Sequence, residues 1–257
     1  MRKLVAVMTC HRNRAKADAQ RATWVKDLRA QGTDVVFFLG NPPNASALDE
    51  GYRHAGSDEV WLDVRDDYWG IPDKVISICQ WALEHGYDYV AKCDDDVYIA
   101  PLRFAALPLC ADYIGRFRGP YGQYPAHLAS GFFYWLSASA CVHVQRSGRL
   151  NRDWMDERYV ANLLALNGIY GYTDPTNYLV TGPFTCGKEI LDRKILQAGA
   201  VFCEYRANQM QEMHDALRFA EPVPGHPGLR AVPPVNITRS QFEARCTDRP
   251  PAHKVEL

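Results

Sequence analysis

Tyr87-Asp88-Tyr89-Val90-Ala91-Lys92-Cys93-Asp94-Asp95-Asp96-Val97-Tyr98-Ile99 sets three consecutive carboxylates between two short runs of strand-forming residues. Tyr, Val and Ile favour an extended, half-buried backbone, so the stretch predicts a strand ending at the acidic triplet and then a second short extended piece. Asp is depleted in strands. Three adjacent anions cost repulsion and desolvation unless a divalent metal, a metal-bound phosphate or basic side chains neutralise them. In extended backbone Asp94 and Asp96 face one side and Asp95 the other, which leaves two carboxylates for a cation and one for another partner. A solvated acidic turn is the alternative that a bare triplet leaves open.

Upstream, Lys3 to Thr9 reads as a buried strand, Ala15 to Ala30 as a helix stopped by Gly32, Asp34 to Leu39 as a second buried strand and Val60 to Val64 as a third. Asp73 to His85 carries Val75, Ile76, Ile78, Cys79, Ala82 and Leu83 on one helical face, with Gly86 in the C′ position. This alternation predicts an α/β fold: a Rossmann-type, mainly parallel sheet with helices on both faces. In such sheets ligands sit at the carboxyl ends of strands, where the triplet falls.

Downstream, Tyr113 to Phe117 and the aromatic run Ser130 to Leu136 read as strands, and Ser137 caps a short helix through Val144. Met155 to Leu166 reads as a helix with Asp153, Asp156 and Glu157 in or near its first turn, where dipole complementarity alone accounts for acidic residues. Ile190 to Gln197 and Asn208 to Arg218 read as helices flanking a strand at Val201 to Tyr205. From Glu221 onward, Pro222, Pro224, Pro227, Pro233, Pro234, Pro250 and Pro251 change the composition. The expected organisation is one domain over residues 1–220 and a Pro-rich C-terminal arm over 221–257.

The chain has 257 residues, 47% hydrophobic and 23% charged, enough for one large domain with a substantial core. Its 29 basic and 30 acidic residues give a formal net charge of -1, so no global field recruits nucleic acid or an anionic membrane. No apolar run reaches the roughly 18 residues of a spanning helix, and the apolar run after Met1-Arg2-Lys3 is too short for a signal peptide. The eight cysteines are scattered with no CxxC pair, which excludes zinc-ribbon and thioredoxin readings. Reduced thiols are expected, with Cys186 and Cys203 or Cys246 as the pairs to test in an exported protein. Asn44-Ala45-Ser46 and Asn236-Ile237-Thr238 match the glycosylation sequon, a pattern that chance produces often.

Several separated stretches together resemble the family 31 glycosyltransferases, the β-1,3-galactosyltransferase, N-acetylglucosaminyltransferase and Fringe-like group with the GT-A fold. The resemblance spans roughly Leu4 to Tyr172. Gln20-Arg21-Ala22-Thr23-Trp24 is similar to the family's Arg-x-Thr-Trp, and Asp63 to Lys74 to its Asp-Phe-x-Asp-x-Tyr-x-Asn-Leu-Thr-x-Lys, with Gly70 and Pro72 departing from Asn and Thr. Lys92 to Tyr98 resembles Lys-x-Asp-Asp-Asp-Val-Phe/Tyr. Ala129 to Ser137 resembles Tyr-x-Ser-Gly-Gly-Gly-Tyr-Val-Leu-Ser with Phe132 and Phe133 in place of two glycines. Asp156-Glu157-Arg158-Tyr159-Val160 resembles Glu-Asp-Val-Tyr-Val with the acidic residues swapped.

The resemblance implies an inverting transferase that moves a hexose or N-acetylhexosamine, galactose or GlcNAc, from a UDP-sugar donor to a saccharide or glycoconjugate hydroxyl, in a β-1,3 linkage. It implies Mn²⁺ or Mg²⁺ as cofactor, held by Asp94 and Asp96 with His214 as a third ligand, and Asp95 on the ribose or sugar. Arg21 and Lys74 become donor-binding candidates, each equally readable as a surface ion pair or packing residue. The family's base falls on Glu157, with Asp156 preceding it. Phe133 or Trp135 is open to stacking on a sugar ring, although core packing is the simpler account. A metal-dependent phosphohydrolase and a silent sugar- or nucleotide-binding protein are the competing readings. With no leader or anchor in the sequence, a cytoplasmic chain is expected, or the Golgi lumen if it is part of a longer anchored protein.

Overall fold

The computed structural model describes residues 1–41, 52–54, 56–118, 127–146, 155–173, 200–203, 205–221, 230–234 and 237–240. The expected helix at Ile190 to Gln197, both sequons' asparagines, Cys186 and Cys246 lie outside these residues. Among the described residues no helix is long and apolar enough to cross a membrane.

The first strand, β1 (Lys3–Met8), runs through the centre of the sheet; α1 (Arg14–Gln20), a wide π-helical turn (Arg21–Val25) and α2 (Lys26–Ala30) follow, then β2 (Asp34–Leu39). Next come β3 (Tyr52–His54), β4 (Glu59–Leu62), α3 (Ile71–Glu84), β5 (Tyr89–Asp94), β6 (Tyr98–Ile99) and α4 (Pro101–Ala105). The second half supplies β7 (Tyr113–Arg118), β8 (Leu128–Ser137), α5 (Ala138–Arg146), α6 (Asp156–Leu166), β9 (Tyr172–Thr173), β10 (Val201–Phe202), α7 (Ala207–Leu217) and β11 (Arg230–Ala231). Among the described residues nine strands form one sheet in the order β11-β9-β7-β8-β5-β1-β2-β4-β3, and β10 pairs with β6 in a separate two-stranded sheet.

β5, β1, β2 and β4 are parallel neighbours, the arrangement that the strand-helix alternation predicts. β8 then returns antiparallel to β5, so the sheet turns from parallel to mixed at the acidic strand. In the β1–β5 register Met8 pairs with Asp94, which puts the carboxyl ends of both strands at one edge. In the β5–β8 register Cys93 pairs with Phe133, bringing the beginning of β8 to the same edge.

Alternation along the strands fills two cores. Leu4, Ala6, Met8, Val90, Tyr134 and Leu136 pack with α3, α5 and α6 on one face, and Val5, Val7, Ala91, Cys93, Phe133 and Trp135 pack with α1, α2, α4 and α7 on the other. Phe133 and Trp135 are almost wholly buried and stack around Phe104, so neither offers a face to a sugar. Burying side chains of this size contributes about 2 to 3 kcal/mol each.

Local chemistry explains the helix boundaries. Asp67 accepts the amides of Trp69 and Gly70 at 3.0 and 3.2 Å, and Pro72 occupies the first turn of α3, where its missing N–H is harmless. Gly70 has no room for a side chain: a Cβ would lie 2.0 Å from the Arg65 carbonyl oxygen, which accounts for this departure from the family's Asn. At the other end of α3 Gly86 adopts φ 71°, the left-handed C′ conformation. The described part of the Pro-rich arm includes β11, which pairs antiparallel with β9 at the sheet edge.

Candidate active site

β5 ends at Asp94 and the chain turns at Asp95 and Asp96, so the strict alternation expected through the triplet is not what the fold adopts. Side chains from far upstream impose the turn. Gln20, fully buried, donates its amide to the carbonyls of Asp94 at 3.2 Å and Val97 at 2.9 Å, and Trp24 Nε1 donates to Val97 O at 3.0 Å. Thr23 bonds back to Ala19 O at 2.7 Å, and its backbone departs from helical angles where the helix widens. The Gln20-to-Trp24 motif therefore shapes the acidic turn from beneath.

With the backbone turned, all three aspartates line one cavity of about 400 Å³, together with Lys16, Tyr68 and Lys74. Asp95 accepts from Thr9 Oγ1 at 2.8 Å, Asn13 Nδ2 at 2.9 Å and Lys16 Nζ at 3.2 Å. Across the cavity, Lys74 Nζ donates to Thr9 O at 2.7 Å and Asp66 Oδ1 at 2.6 Å. Asp66 also accepts the backbone amides of Gly40 and His11, each at 2.7 Å, and so ties the ends of β1 and β2 to α3.

Lys92 connects this cavity to α6. It is one of the few buried lysines, and its Nζ lies 2.6 Å from Asp94 Oδ1 and 3.6 Å from Asp156 Oδ2 while donating to the Gly131 carbonyl. Burial works against its charge, but Asp156 and Asp94 outweigh that and raise its pKa above the ordinary value. Asp156 is buried and accepts the Tyr134 hydroxyl at 2.8 Å. Glu157 is half-buried, and its carboxyl lies against Gly131, where an added Cβ would come within 2.9 Å of both Cδ and Oε2.

These carboxylates have crowded electrostatics. Burial pushes Asp94 up to about 7, with Asp96 and Asp156 adding to the rise and Lys92 opposing it. Asp96 is raised by burial and by Asp95 against the pull of Lys16. Glu157 is pushed up to about 8, first by burial and then by the Asp156 charge, with Lys92 again opposing. Tyr68, on the cavity wall, has its phenol raised by burial and by Glu157, Asp156 and Asp94, so both acidic groups act on one side chain.

A half-buried pair of carboxylates suits a hard divalent cation. Among the described residues no three His, Cys, Asp or Glu side chains form a protein-only cage. A magnesium-like ion is typically held by one or two carboxylates with water and substrate phosphates filling the remaining positions. Asp94 and Asp96 offer those oxygens.

Arg21 and His214 are not brought to this cavity. Arg21 is bound by Asp58 at 3.1 Å, Glu59 at 2.8 Å and Asp18 at 2.9 Å, with its guanidinium 4.0 Å above the Phe37 ring. His214 follows Met210 and Met213 on the buried face of α7 and lies 3.4 Å from the Tyr98 hydroxyl and 3.6 Å from Asp27. Burial lowers its pKa and favours the neutral ring, and helical spacing accounts for its inward direction. Sequence patterns alone give no role to Lys92, Asp66, Lys16, Gln20, Thr9, Asn13 or Tyr68. Lys92 carried a usable signal: two residues before Asp94 on a strand, it must share that residue's face.

Residues 15–109 match the family model described as Galactosyltransferase. No curated protein matches the sequence. Among solved structures, a glycosyltransferase involved in the glycosylation of the major capsid of PBCV-1 is similar at 11% identity and a TM-score of 0.51, over 83% of this chain and 99% of that one. The galactosyltransferase LgtC in complex with donor and acceptor sugar analogues aligns at 12% identity and a TM-score of 0.44, over 86% and 98% of the two chains. The catalytic domain of Drosophila β1,4-galactosyltransferase 7 in complex with xylobiose aligns at 13% identity and a TM-score of 0.44, over 67% and 65%.

Proposed function

We propose, from the premise that the GT-A fold and the galactosyltransferase match support a glycosyltransferase, that this chain transfers a hexose or N-acetylhexosamine from a UDP-sugar to a saccharide hydroxyl with inversion. Galactose and GlcNAc are the favoured sugars and β-1,3 the favoured linkage, both by the family resemblance. The observation that carries the reading is the Lys92 bridge, which joins the Asp94 carboxylate of the donor cavity to the Asp156-Glu157 turn of α6.

In this reading Asp94 and Asp96 would hold Mn²⁺ or Mg²⁺, which would supply Lewis-acid neutralisation of negative charge on the diphosphate. Asp95, fixed by Thr9 and Asn13, faces the ribose or sugar, and Lys74 sets the opposite wall. Glu157 accepts the proton of the acceptor hydroxyl as its oxygen bonds to the anomeric carbon and the bond to the diphosphate breaks. Asp156 is committed to Tyr134 and faces Lys92, so it orients the turn and leaves the proton transfer to Glu157.

Incubation with UDP-galactose, UDP-GlcNAc or UDP-glucose, Mn²⁺ and a panel of saccharide acceptors tests this directly. Mass spectrometry should show one added hexose or N-acetylhexosamine, and NMR a β-anomeric product from the α-linked donor. Hydrolysis of simple phosphates without an acceptor, or UDP binding with no transfer to any acceptor, would sink the reading.

A further inference from the structure

Asp95 and Asp96 share a cation that Asp95 does not depend on. Lys16, in the first turn of α1, places Nζ 3.2 Å from Asp95 Oδ1 and 3.9 Å from Asp96 Oδ2, on the wall of the donor cavity. Thr9 and Asn13 already donate to the other oxygen of Asp95, at 2.8 and 2.9 Å, so neutral groups hold that carboxylate in place. The Lys16 side chain is 33% exposed, and Asp96 31%, so water reaches the longer contact. An ion pair this exposed is weak, and a lysine stem has the rotamer freedom to carry its ammonium elsewhere.

Two charges then compete for the same oxygens. A divalent ion on Asp96 would stand close to the Lys16 ammonium, and its double charge repels that ammonium at a range where solvent screens only in part. A diphosphate entering the same cavity brings several anionic oxygens, for which a lysine is an effective point-charge partner.

We propose that Lys16 is the exchangeable cation of the donor site: it pairs with Asp95 and Asp96, yields Asp96 to a divalent ion, and moves onto the diphosphate that arrives with it. The inference rests on the donor-site reading given above. It makes metal and nucleotide cooperative, because Lys16 opposes the metal alone and favours the nucleotide once displaced. Removing its charge therefore has opposite effects on the two ligands, whereas a mere structural defect would weaken both.

Calorimetric titration of the full chain with Mn²⁺ alone, and with UDP at saturating Mn²⁺, tests this in wild type, Lys16→Met and Lys16→Arg. Lys16→Met should bind Mn²⁺ alone about fivefold or more tightly and UDP about fivefold or more weakly, a coupling of ordinary allosteric size. Lys16→Arg should retain wild-type UDP affinity. Unchanged binding of both ligands in Lys16→Met overturns the proposal, as does weakening of both with a lowered melting temperature. A wild-type chain that binds neither Mn²⁺ nor UDP removes the donor-site reading itself, and Lys16's part in it; a wild type that binds both while Lys16→Met shows no opposite shifts removes only the part of Lys16.

Discussion

The Lys92 ammonium, 2.6 Å from Asp94 Oδ1, is a buried charge shared with Asp156 on a different element. Lys92→Met would leave the buried Asp156 and the half-buried Asp94 without it. Removing one partner of a buried ion pair costs about 3 to 5 kcal/mol, so urea denaturation should show a loss of that order. Turnover should fall with it. A loss below about 1 kcal/mol, the range of exposed pairs, would contradict the bridge.

Gly131 sets how closely β8 approaches the carboxyl of Glu157. In Gly131→Ala the new Cβ would sit 2.9 Å from Glu157 Cδ, and the flexible end of that side chain has to move. The chain should stay folded with near wild-type melting temperature, while kcat falls roughly 100-fold, the scale expected when a reacting group shifts by about 1 Å. Steady-state kinetics with an unchanged KM for the donor would confirm that the effect is confined to the base.

Glu157, pushed up to about 8, must lose its proton to act as a base. The rate should therefore rise with pH through the neutral range, reach half its limit near 8 and level off above it, and Glu157→Gln should remove this limb while lowering kcat roughly 10²- to 10⁴-fold. Stability runs the other way. A carboxyl raised in the folded state contributes stability that is complete below its unfolded pKa and is lost as pH rises through its folded one. Glu157→Gln should thus melt no lower than wild type at pH 8; a lower melting point there would show that the ionised carboxylate supports the fold.

Arg21 offers a separation of roles. Its guanidinium joins Asp58, Glu59 and Asp18 across α1 and β4, outside the cavity lining. Arg21→Gln should cost about 1 kcal/mol of stability, as for a partly exposed network, with UDP affinity within twofold of wild type. A tenfold loss of UDP affinity at unchanged stability would restore it as a donor ligand.

The elements whose periodicity is regular are legible in the sequence. β2 spans Asp34–Leu39 as its unbroken apolar run predicts, and Gly86 ends α3 in the expected left-handed conformation. The acidic turn is less so. Alternation predicts Asp95 on the far side of a strand, but Gln20 and Trp24 capture the carbonyls of Asp94 and Val97 and bend the chain there, a tertiary effect invisible in the local sequence. His214 illustrates the same limit. A histidine in a plausible order along the chain says nothing of which face of α7 it occupies until Met210, Met213 and Leu217 are seen to share that face.

The side chains that anchor the acidic turn reach it from 73 to 86 positions earlier in the chain. Closing loops of that length precedes any reward from the contacts, so this corner of the molecule should be among the later parts to form. A partly folded chain would then not hold the acidic triplet in its native turn. Recovery of Mn²⁺ or UDP binding during refolding would serve as a clock for completion of the whole sheet, whereas far-UV signals from α3 or α6 would run ahead of it.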